Sequence, residues 1–285
     1  MIEKIIVVTK KTPYEELIAK FNTKAQANFY INKSMENFNK TNRKVSRKSS
    51  VISESEDAFK PYEDAHIAYQ KSVDEIQNII PSGIKYQYVD REFLPNFLFS
   101  EKDLIITLGP DGLVINTAKY LNGQPIVAIN PDPDRIDGIL IPFTIEKIKK
   151  NIKDMLEGKY TVKNVSMAKA ELNDGQILYG VNDIFVGSKT HVSFRYSIEI
   201  NGISENQSSS GIIVSTGAGS TGWFKSVITG ARSVSRLYDS GASENEDCRF
   251  DWESRYLYYN VREPFPSKMS GTNLVFGRIT ENSLL

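Results

Sequence analysis

Apolar positions in the first half of the chain fall into short runs separated by stretches with helical spacing. Ile5 to Thr9 (IIVVT) is a β-branched run that predicts a buried strand. Thr12-Pro13-Tyr14-Glu15 then has the form of a helix start. Thr12 can cap, Pro13 stands where a missing N–H does no harm, and Glu15 can reach back in a capping box. Leu17, Ile18 and Phe21 continue that helix. Residues 37–56 are polar, first basic and then acidic, and predict a mobile surface loop. Without interleaved aromatics those charges read as a solvated segment rather than a nucleic-acid patch. Helical spacing returns over residues 57–80, with Ala65, Ala68, Tyr69, Val73, Ile76 and Ile80 near one face. Ile84–Val89 and Leu104–Leu108 predict two further strands. Leu113–Leu121 has helical spacing and stops at Asn122-Gly123, and Pro125–Asn130 (PIVAIN) is another buried strand. Strand, helix and strand in this order predict a right-handed parallel βαβ unit. Residues 1–144 therefore read as a Rossmann-like α/β domain.

After a linking helix over Ile145–Leu156 the period changes from helical to two. Val162–Leu172, Gln176–Val186, His191–Ile200 and Gly211–Ser215 predict strands, and His191–Ile200 alternates most clearly. Asn173-Asp174-Gly175 supplies a hairpin turn between two of them. One helix interrupts the pattern, starting near Gly219 or Ser220. Residues 145–285 read as a mostly β domain.

Composition narrows the function classes. Lys and Arg number 35, Asp and Glu number 35, and the net charge is +0, so no surplus of positive charge draws in nucleic acid or a membrane surface. The lone cysteine, Cys248, cannot form an internal disulfide and fits a reducing, cytoplasmic setting. His66 and His191 are too few for a histidine-rich metal centre, and no protein metal site is expected. No apolar run is long enough to cross a bilayer. The chain enters an apolar strand at once, which leaves no room for a signal peptide.

Candidate chemistry begins at Gly109-Pro110-Asp111-Gly112, at the C-terminal end of a predicted parallel strand. Ligands of open α/β sheets bind outside such ends. Glycines allow close approach to a phosphate, and the following helix offers free N–H groups. A carboxylate there can orient or deprotonate an attacking hydroxyl. Taken alone, the same residues make an ordinary strand-to-helix turn. Three further segments follow in order: Asn130-Pro-Asp-Pro-Asp-Arg-Ile-Asp-Gly138, Asn182-Asp183, and Ser215-Thr-Gly-Ala-Gly-Ser-Thr-Gly-Trp223.

These four segments in this order resemble the NAD kinase family. That family carries a GGDG-type turn, an asparagine-containing segment after the next strand, an Asn-Glu pair, and a stretch of the type T-P-T-G-S-T-A-Y. Asp132-Pro-Asp-Arg135 and Val261-Arg-Glu-Pro264 look most like its mitochondrial-type branch. The resemblance covers most of residues 100–265. It implies a Rossmann-like domain followed by a β-sandwich-like domain, with the active site between them. It also implies transfer of the ATP γ-phosphate to the 2′-hydroxyl of NAD, with Mg²⁺ travelling with ATP. Asp111 aligns with the aspartate that activates the hydroxyl. Gly112, Asn130, Asn182, Asp183, Thr221, Gly222, Trp223 and Ser226 fall at positions lining the dinucleotide site, and Gly109, Gly219 and Ser220 at positions facing phosphate. Family members commonly pair through the β domain, so a homodimer or homotetramer is expected.

Several positions depart from the family pattern. Pro110 replaces the second glycine of the turn and removes one N–H. If that N–H binds a phosphate, its loss weakens donor binding by about 1–3 kcal/mol. Asp183 replaces glutamate, Gly217 and Ala218 replace proline and threonine, Ser210-Gly211 replaces an Asp-Gly, and Trp223 replaces tyrosine without its hydroxyl. These departures keep two alternatives open beside the kinase. One is a dinucleotide-binding relative with weak or no turnover. The other is a lipid or sugar kinase of the wider superfamily.

Overall fold

The computed structural model describes residues 2–42, 57–190, 192–236 and 248–285. The chain forms two compact units, Met1–Tyr160 and Thr161–Leu285. In the first, β1 (Lys4–Thr9), β2 (Lys85–Asp90), β3 (Asp103–Leu108) and β4 (Ile126–Ile129) make a parallel sheet in the order β2-β1-β3-β4. All six residues of β3 are buried, as an interior strand covered on both faces requires. Period-2 alternation sorts the apolar side chains. Ile5, Val7, Leu104, Ile106 and Leu108 pack on one face against Ile76, Ile148 and Ile152. Ile6, Val8 and Ile105 pack on the other against Leu94 and Leu113.

The connecting helices are α1 (Pro13–Phe21), α2 (Lys24–Asn42), α3 (Lys60–Ile79), α4 (Asp111–Ala118) and α5 (Ile145–Leu156). The expected capping box opens α1. Glu15 N–H donates to Thr12 Oγ1 at 3.3 Å, and Thr12 N–H donates to Glu15 Oε2 at 2.7 Å. Helix α2 is not foreseen from the pattern, because its apolar residues do not gather into one stripe. It takes in residues 37–42 of the expected loop, and the rest of that expectation lies outside the described residues. Helix α5 does not link two domains. Ile145, Ile148 and Ile152 join the core beneath α3, so the compact first unit runs on to Tyr160 rather than ending at residue 144.

The second unit holds β5 (Ala168–Glu171), β6 (Ile177–Gly180), β7 (Asp183–Val186), β8 (Phe194–Ile200), β9 (Ile203–Ser209), β10 (Gly211–Ser215), α6 (Trp223–Ser235), β11 (Tyr256–Arg262) and β12 (Phe276–Thr280). An antiparallel sheet runs β12-β11-β10-β7. The β8-β9 hairpin lays Ile198 and Ile200 on Ile212, Tyr259, Val261 and Ile279 of that sheet, giving the expected sandwich-like layering. Asn173-Asp174-Gly175 turns β5 into β6, with Gly175 at φ 85°. A second hairpin turn at Asn201-Gly202, both at positive φ, joins β8 to β9. The run Gln176–Val186 is two strands, not one. A Cβ on Gly180 would stand 2.9 Å from the Asp183 carbonyl, and the chain folds sharply through that space.

The segment after β11 is tied down by Glu205 on β9. Its carboxylate accepts the N–H of Asn273 (3.0 Å) and Leu274 (2.9 Å), Asn273 Nδ2 (2.9 Å) and Gln207 Nε2 (2.8 Å). Loss of solvent pushes the Glu205 pKa up, but these donors outweigh it and hold it at about 2, below the ordinary 4.5. A depressed folded-state pKa stabilises the fold above the unfolded value, and that contribution is lost as pH falls through the folded one. Glu205→Gln should therefore lower the urea midpoint at pH 7. The gap to wild type should close as pH falls from about 4.5 to about 2. Urea melts across that range check this.

Candidate functional site

In the first unit, β3 ends in Gly109, whose N–H donates to Ile129 O at 3.2 Å. A Cβ on Gly109 would lie 2.9 Å from Leu113 Cδ2, so this position admits glycine where the chain turns tightly into α4. Pro110 is the N-cap residue of α4 and offers no side-chain cap. Its own missing N–H costs the helix nothing, since the first amides of a helix have no partner within it. Asp111 and Gly112 then start the helix, and their N–H groups point out of its N-terminus. Asp111 is half-buried and Gly112 exposed.

The Asp111 carboxylate is held in place by the segment after β4. Oδ2 accepts the Ile139 N–H at 3.1 Å and Oδ1 the Leu140 N–H at 3.0 Å. Gly138 lies so close that a Cβ there would meet Asp111 Oδ1 at 3.0 Å and Ile141 at 2.0 Å. Each carboxylate oxygen keeps a second lone pair for another donor. Asn130 shapes the same segment. Its Nδ2 donates to Ile136 O at 2.8 Å and its Oδ1 accepts the Asp132 N–H at 3.0 Å. Arg135 pairs with Asp132 at 2.9 Å. The Asn130 side chain thus shapes its own loop and brings Gly138 to Asp111, with one amide N–H and one Oδ1 lone pair left over.

Tyr69 is missed as a functional position by the sequence reading, which places it only on a helix face. Its hydroxyl donates to Leu108 O at 3.1 Å and accepts the Lys10 N–H at 3.1 Å, tying the ends of β1 and β3 beside the turn. Burial pushes its pKa up to about 12, so it remains a donor. Ser72, one turn further along α3, donates to Pro131 O at 3.1 Å. The aromatic and the serine are visible in the sequence, but their long-range partners are not.

In the second unit, Asn182 and Asp183 enter β7 beside the turn after β10. Asp183 pairs in register with Ser215. Thr216 N–H donates to Asn182 O at 2.9 Å, and the Thr216 hydroxyl lies against the same carbonyl at 3.1 Å while accepting the Gly219 N–H at 3.1 Å. The packing is close. A Cβ on Gly219 would fall 2.1 Å from Asn182 O, and one on Gly217 2.0 Å from Asp251 O. The family's proline therefore has no room at Gly217. Gly219 and Ser220, expected at phosphate, build this turn instead. The Gly219 N–H goes to Thr216, and Ser220 donates its hydroxyl to Gly217 O at 2.6 Å and its N–H to the same oxygen at 3.3 Å.

Two atoms beside this turn are left over. Oδ1 of Asn182 and Oδ1 of Asp183 are both buried without a hydrogen-bond partner. Burial pushes the Asp183 carboxyl up from its ordinary value, and the Ser215 hydroxyl opposes this only in part. Thr221 is half-buried, and Gly222, Trp223 and Ser226 are exposed at the start of α6. Trp223 faces Phe185 at 5.4 Å between ring centres and lies under the Arg262 guanidinium at 5.2 Å. Phe185 and Arg262 are further site candidates that motif spacing alone does not reveal. Among the described residues, no cluster of three or more His, Cys, Asp or Glu is placed to hold a metal ion, and no helix is long and apolar enough to cross a membrane.

A parallel α/β unit with an aspartate turn, followed by a layered β unit with a glycine-rich turn, defines the class of fold. The yeast NADH kinase, solved as a complex with NADH, shares it. The TM-score is 0.51 at 14% identity, covering 99% of this chain and 71% of that one, a likeness of fold. No family model matches the chain. In sequence it is similar to the NAD kinase of Clostridium kluyveri, 31% identical over 132 residues, which is 44% of this chain and 45% of that protein. It is also similar to the NAD kinase of Caldicellulosiruptor bescii, 26% identical over 161 residues, which is 54% and 59% of the two. The matched stretch spans about half the length of these curated relatives. The resemblance to the NAD kinase family thus holds in sequence and in fold.

A raised folded-state pKa means that ionised Asp183 weighs against the fold, with the cost absent below the unfolded value of 3.8 and complete above the folded one. Asp183→Asn should therefore raise the urea midpoint at pH 7 relative to wild type, and the two midpoints should converge as pH falls below 3.8. A lower midpoint for the variant at pH 7 would contradict the burial of an uncompensated carboxylate.

Proposed function

We propose that this protein transfers the γ-phosphate of ATP to the 2′-hydroxyl of the adenosine ribose of NAD or NADH. The observation that carries this reading is the pair of unpartnered buried oxygens on Asn182 and Asp183. Buried polar atoms in native proteins are nearly always satisfied, and adjacent ribose hydroxyls are donors of the right kind to complete both. The sequence relatives named NAD kinase support the choice of substrate.

Asp111 is the base in this reaction. It stands at the C-terminal end of an interior parallel strand, its orientation fixed by the Ile139 and Leu140 amides, with lone pairs to spare. The 2′-oxygen forms a bond to the γ-phosphorus as the bond between that phosphorus and the β–γ bridging oxygen breaks. ADP leaves, and the hydroxyl proton passes to Asp111. Catalysis of this kind depends on positioning and charge neutralisation more than on covalent chemistry. Mg²⁺ enters as part of Mg-ATP and supplies charge neutralisation at the phosphates. The amides of Asp111 and Gly112, at the N-terminus of α4, suit a phosphate oxygen. Asp132-Pro-Asp-Arg135 and Val261-Arg-Glu-Pro264 favour the mitochondrial-type branch of the family. A homo-oligomer working in the cytoplasm completes the proposal, and light scattering with cell fractionation tests that part.

Pro110 favours a second reading, a dinucleotide-binding protein with little turnover, because the turn offers one N–H fewer to a donor phosphate. One experiment separates the two. The protein is supplied with Mg-ATP and NAD or NADH, and NADP or NADPH is assayed with a specific dehydrogenase. Wild type should form product, and Asp111→Asn should lose at least about a hundredfold in kcat while still folding by circular dichroism, with a lower urea midpoint because its NH2 replaces one of the two acceptors of the Ile139 and Leu140 amides. Tight dinucleotide binding by calorimetry with no product would exclude the kinase and leave the binding protein.

A further inference from the structure

Gly217, one of the departures from the family pattern, has no part in the proposed chemistry. The fold puts a loop where a side chain at this position would stand. A Cβ on Gly217 would lie 2.0 Å from the Asp251 carbonyl oxygen and 2.9 Å from Trp252 Cα. The backbone of residues 251–254 therefore rests on the first glycine of the turn, and the turn is only as fixed as that loop. Thr216, next in the chain to Gly217, donates its N–H to Asn182 O at 2.9 Å, and its hydroxyl accepts the Gly219 N–H at 3.1 Å. A shift of the loop thus passes through Gly217 and Thr216 to Asn182 and Asp183.

The loop shapes itself around Asp251. The Glu253 N–H donates to Asp251 Oδ1 at 2.9 Å, and the Ser254 N–H donates to Asp251 O at 3.1 Å. It is then tied to residues 163–166, the stretch just past Tyr160, where the first unit ends. The Ser166 N–H donates to Trp252 O at 2.8 Å, and the Asn164 N–H donates to Glu253 Oε1 at 3.0 Å. Lys163 Nζ lies over the half-buried Trp252 indole, 4.8 Å from its centre, and 3.9 Å from Asp251 Oδ1. Lys163, Asp251 and Glu253 are all exposed, where ion pairs and cation–π contacts add little to stability. Contacts too weak to hold the fold converge on one loop, and that loop lies against the glycine-rich turn.

We propose that residues 163–166 and 251–254 form a clasp that seats the glycine-rich turn, with Glu253 and Lys163 as its positioning residues. Both act through the backbone of Asp251 and Trp252 on Gly217, and neither contacts the ligand. The effect on function rests on the reading of Asn182 and Asp183 as acceptors for a ribose. The seating itself requires no ligand.

Glu253→Ala removes the acceptor of the Asn164 N–H, and Glu253→Gln keeps one. Lys163→Met removes the cation and keeps an unbranched side chain. These side chains are exposed, so the variants should fold. Amide hydrogen exchange of the ligand-free protein reads the seat directly. In Glu253→Ala and Lys163→Met the Thr216 and Gly219 amides should exchange at least about threefold faster, with the amides of β8 and β9 unchanged. Calorimetry should show about fivefold weaker binding of NAD, and KM for the dinucleotide should rise in step with kcat little changed, because contacts to the ribose are shared by ground and transition states. Glu253→Gln should recover most of the loss. A merely structural role would lower the urea midpoint and leave both the exchange at Thr216 and Gly219 and the affinity for NAD as in wild type, which would overturn the proposal. So would faster exchange with unchanged affinity. Faster exchange at these two amides, in a protein that binds no NAD even as wild type, would uphold the clasp while the dinucleotide reading fails.

Discussion

The close contact between the glycine-rich turn and the carbonyl of Asn182 governs the second unit. With Asn182 O bonded to Thr216 and no room for a Cβ at Gly217 or Gly219, the start of β7 is fixed against the end of β10. That fixation decides where the side chains of Asn182 and Asp183 go, and it leaves one oxygen of each buried and unpaired. A buried polar atom without a partner costs about 1–3 kcal/mol, more when it is charged. The same unit shows that its fold can satisfy a carboxylate fully, since Glu205 gathers four donor groups and its pKa falls to about 2. Thr107, Asn260 and Ser283 also carry an unpartnered buried oxygen, so it is adjacency beside the glycine-rich turn that makes the oxygens of Asn182 and Asp183 the candidates for a ligand. On the proposed reading that ligand is a ribose.

The first unit applies the same logic to a different end. Its aspartate is not left unpaired but aimed. Asn130 folds the loop after β4, Gly138 lets that loop approach, and two amides clamp the Asp111 carboxylate. Tyr69 fixes the strand ends beneath it by bridging Lys10 N–H and Leu108 O. On the proposed reading, a base held in one orientation by the backbone needs little reorganisation when a hydroxyl arrives. Pro110 removes one N–H from the turn and leaves that clamp untouched, so on the same reading its consequence falls on the phosphate donor rather than on the base.

Much of this was legible from residue pattern. The run from Leu104 to Leu108 reads as a buried strand because both of its faces are covered, and Thr12 to Glu15 reads as a capping box because that signal is local. β9 was not legible. ISENQSS has too few apolar residues for a period, and its place comes from the Asn201-Gly202 turn and from Glu205 and Gln207 bonding to a loop about 70 residues away. Site residues divide in the same way. Asp111, Asn182 and Asp183 stand out as candidates by type and order. The roles of Asn130, Gly219 and Ser220 do not, because the side chain and amides that suit a ligand suit a turn equally well. Which of the two takes them is set by tertiary packing, as it is for Arg262 over Trp223.

The account stands most directly on the claim that ligand hydroxyls complete Asn182 and Asp183. Calorimetry of NAD against an analogue lacking the 2′- and 3′-hydroxyls of its adenosine ribose tests it without requiring turnover. The analogue should bind at least about tenfold more weakly, because both buried oxygens would then stay unpaired. Equal affinity for NAD and the analogue would contradict the account.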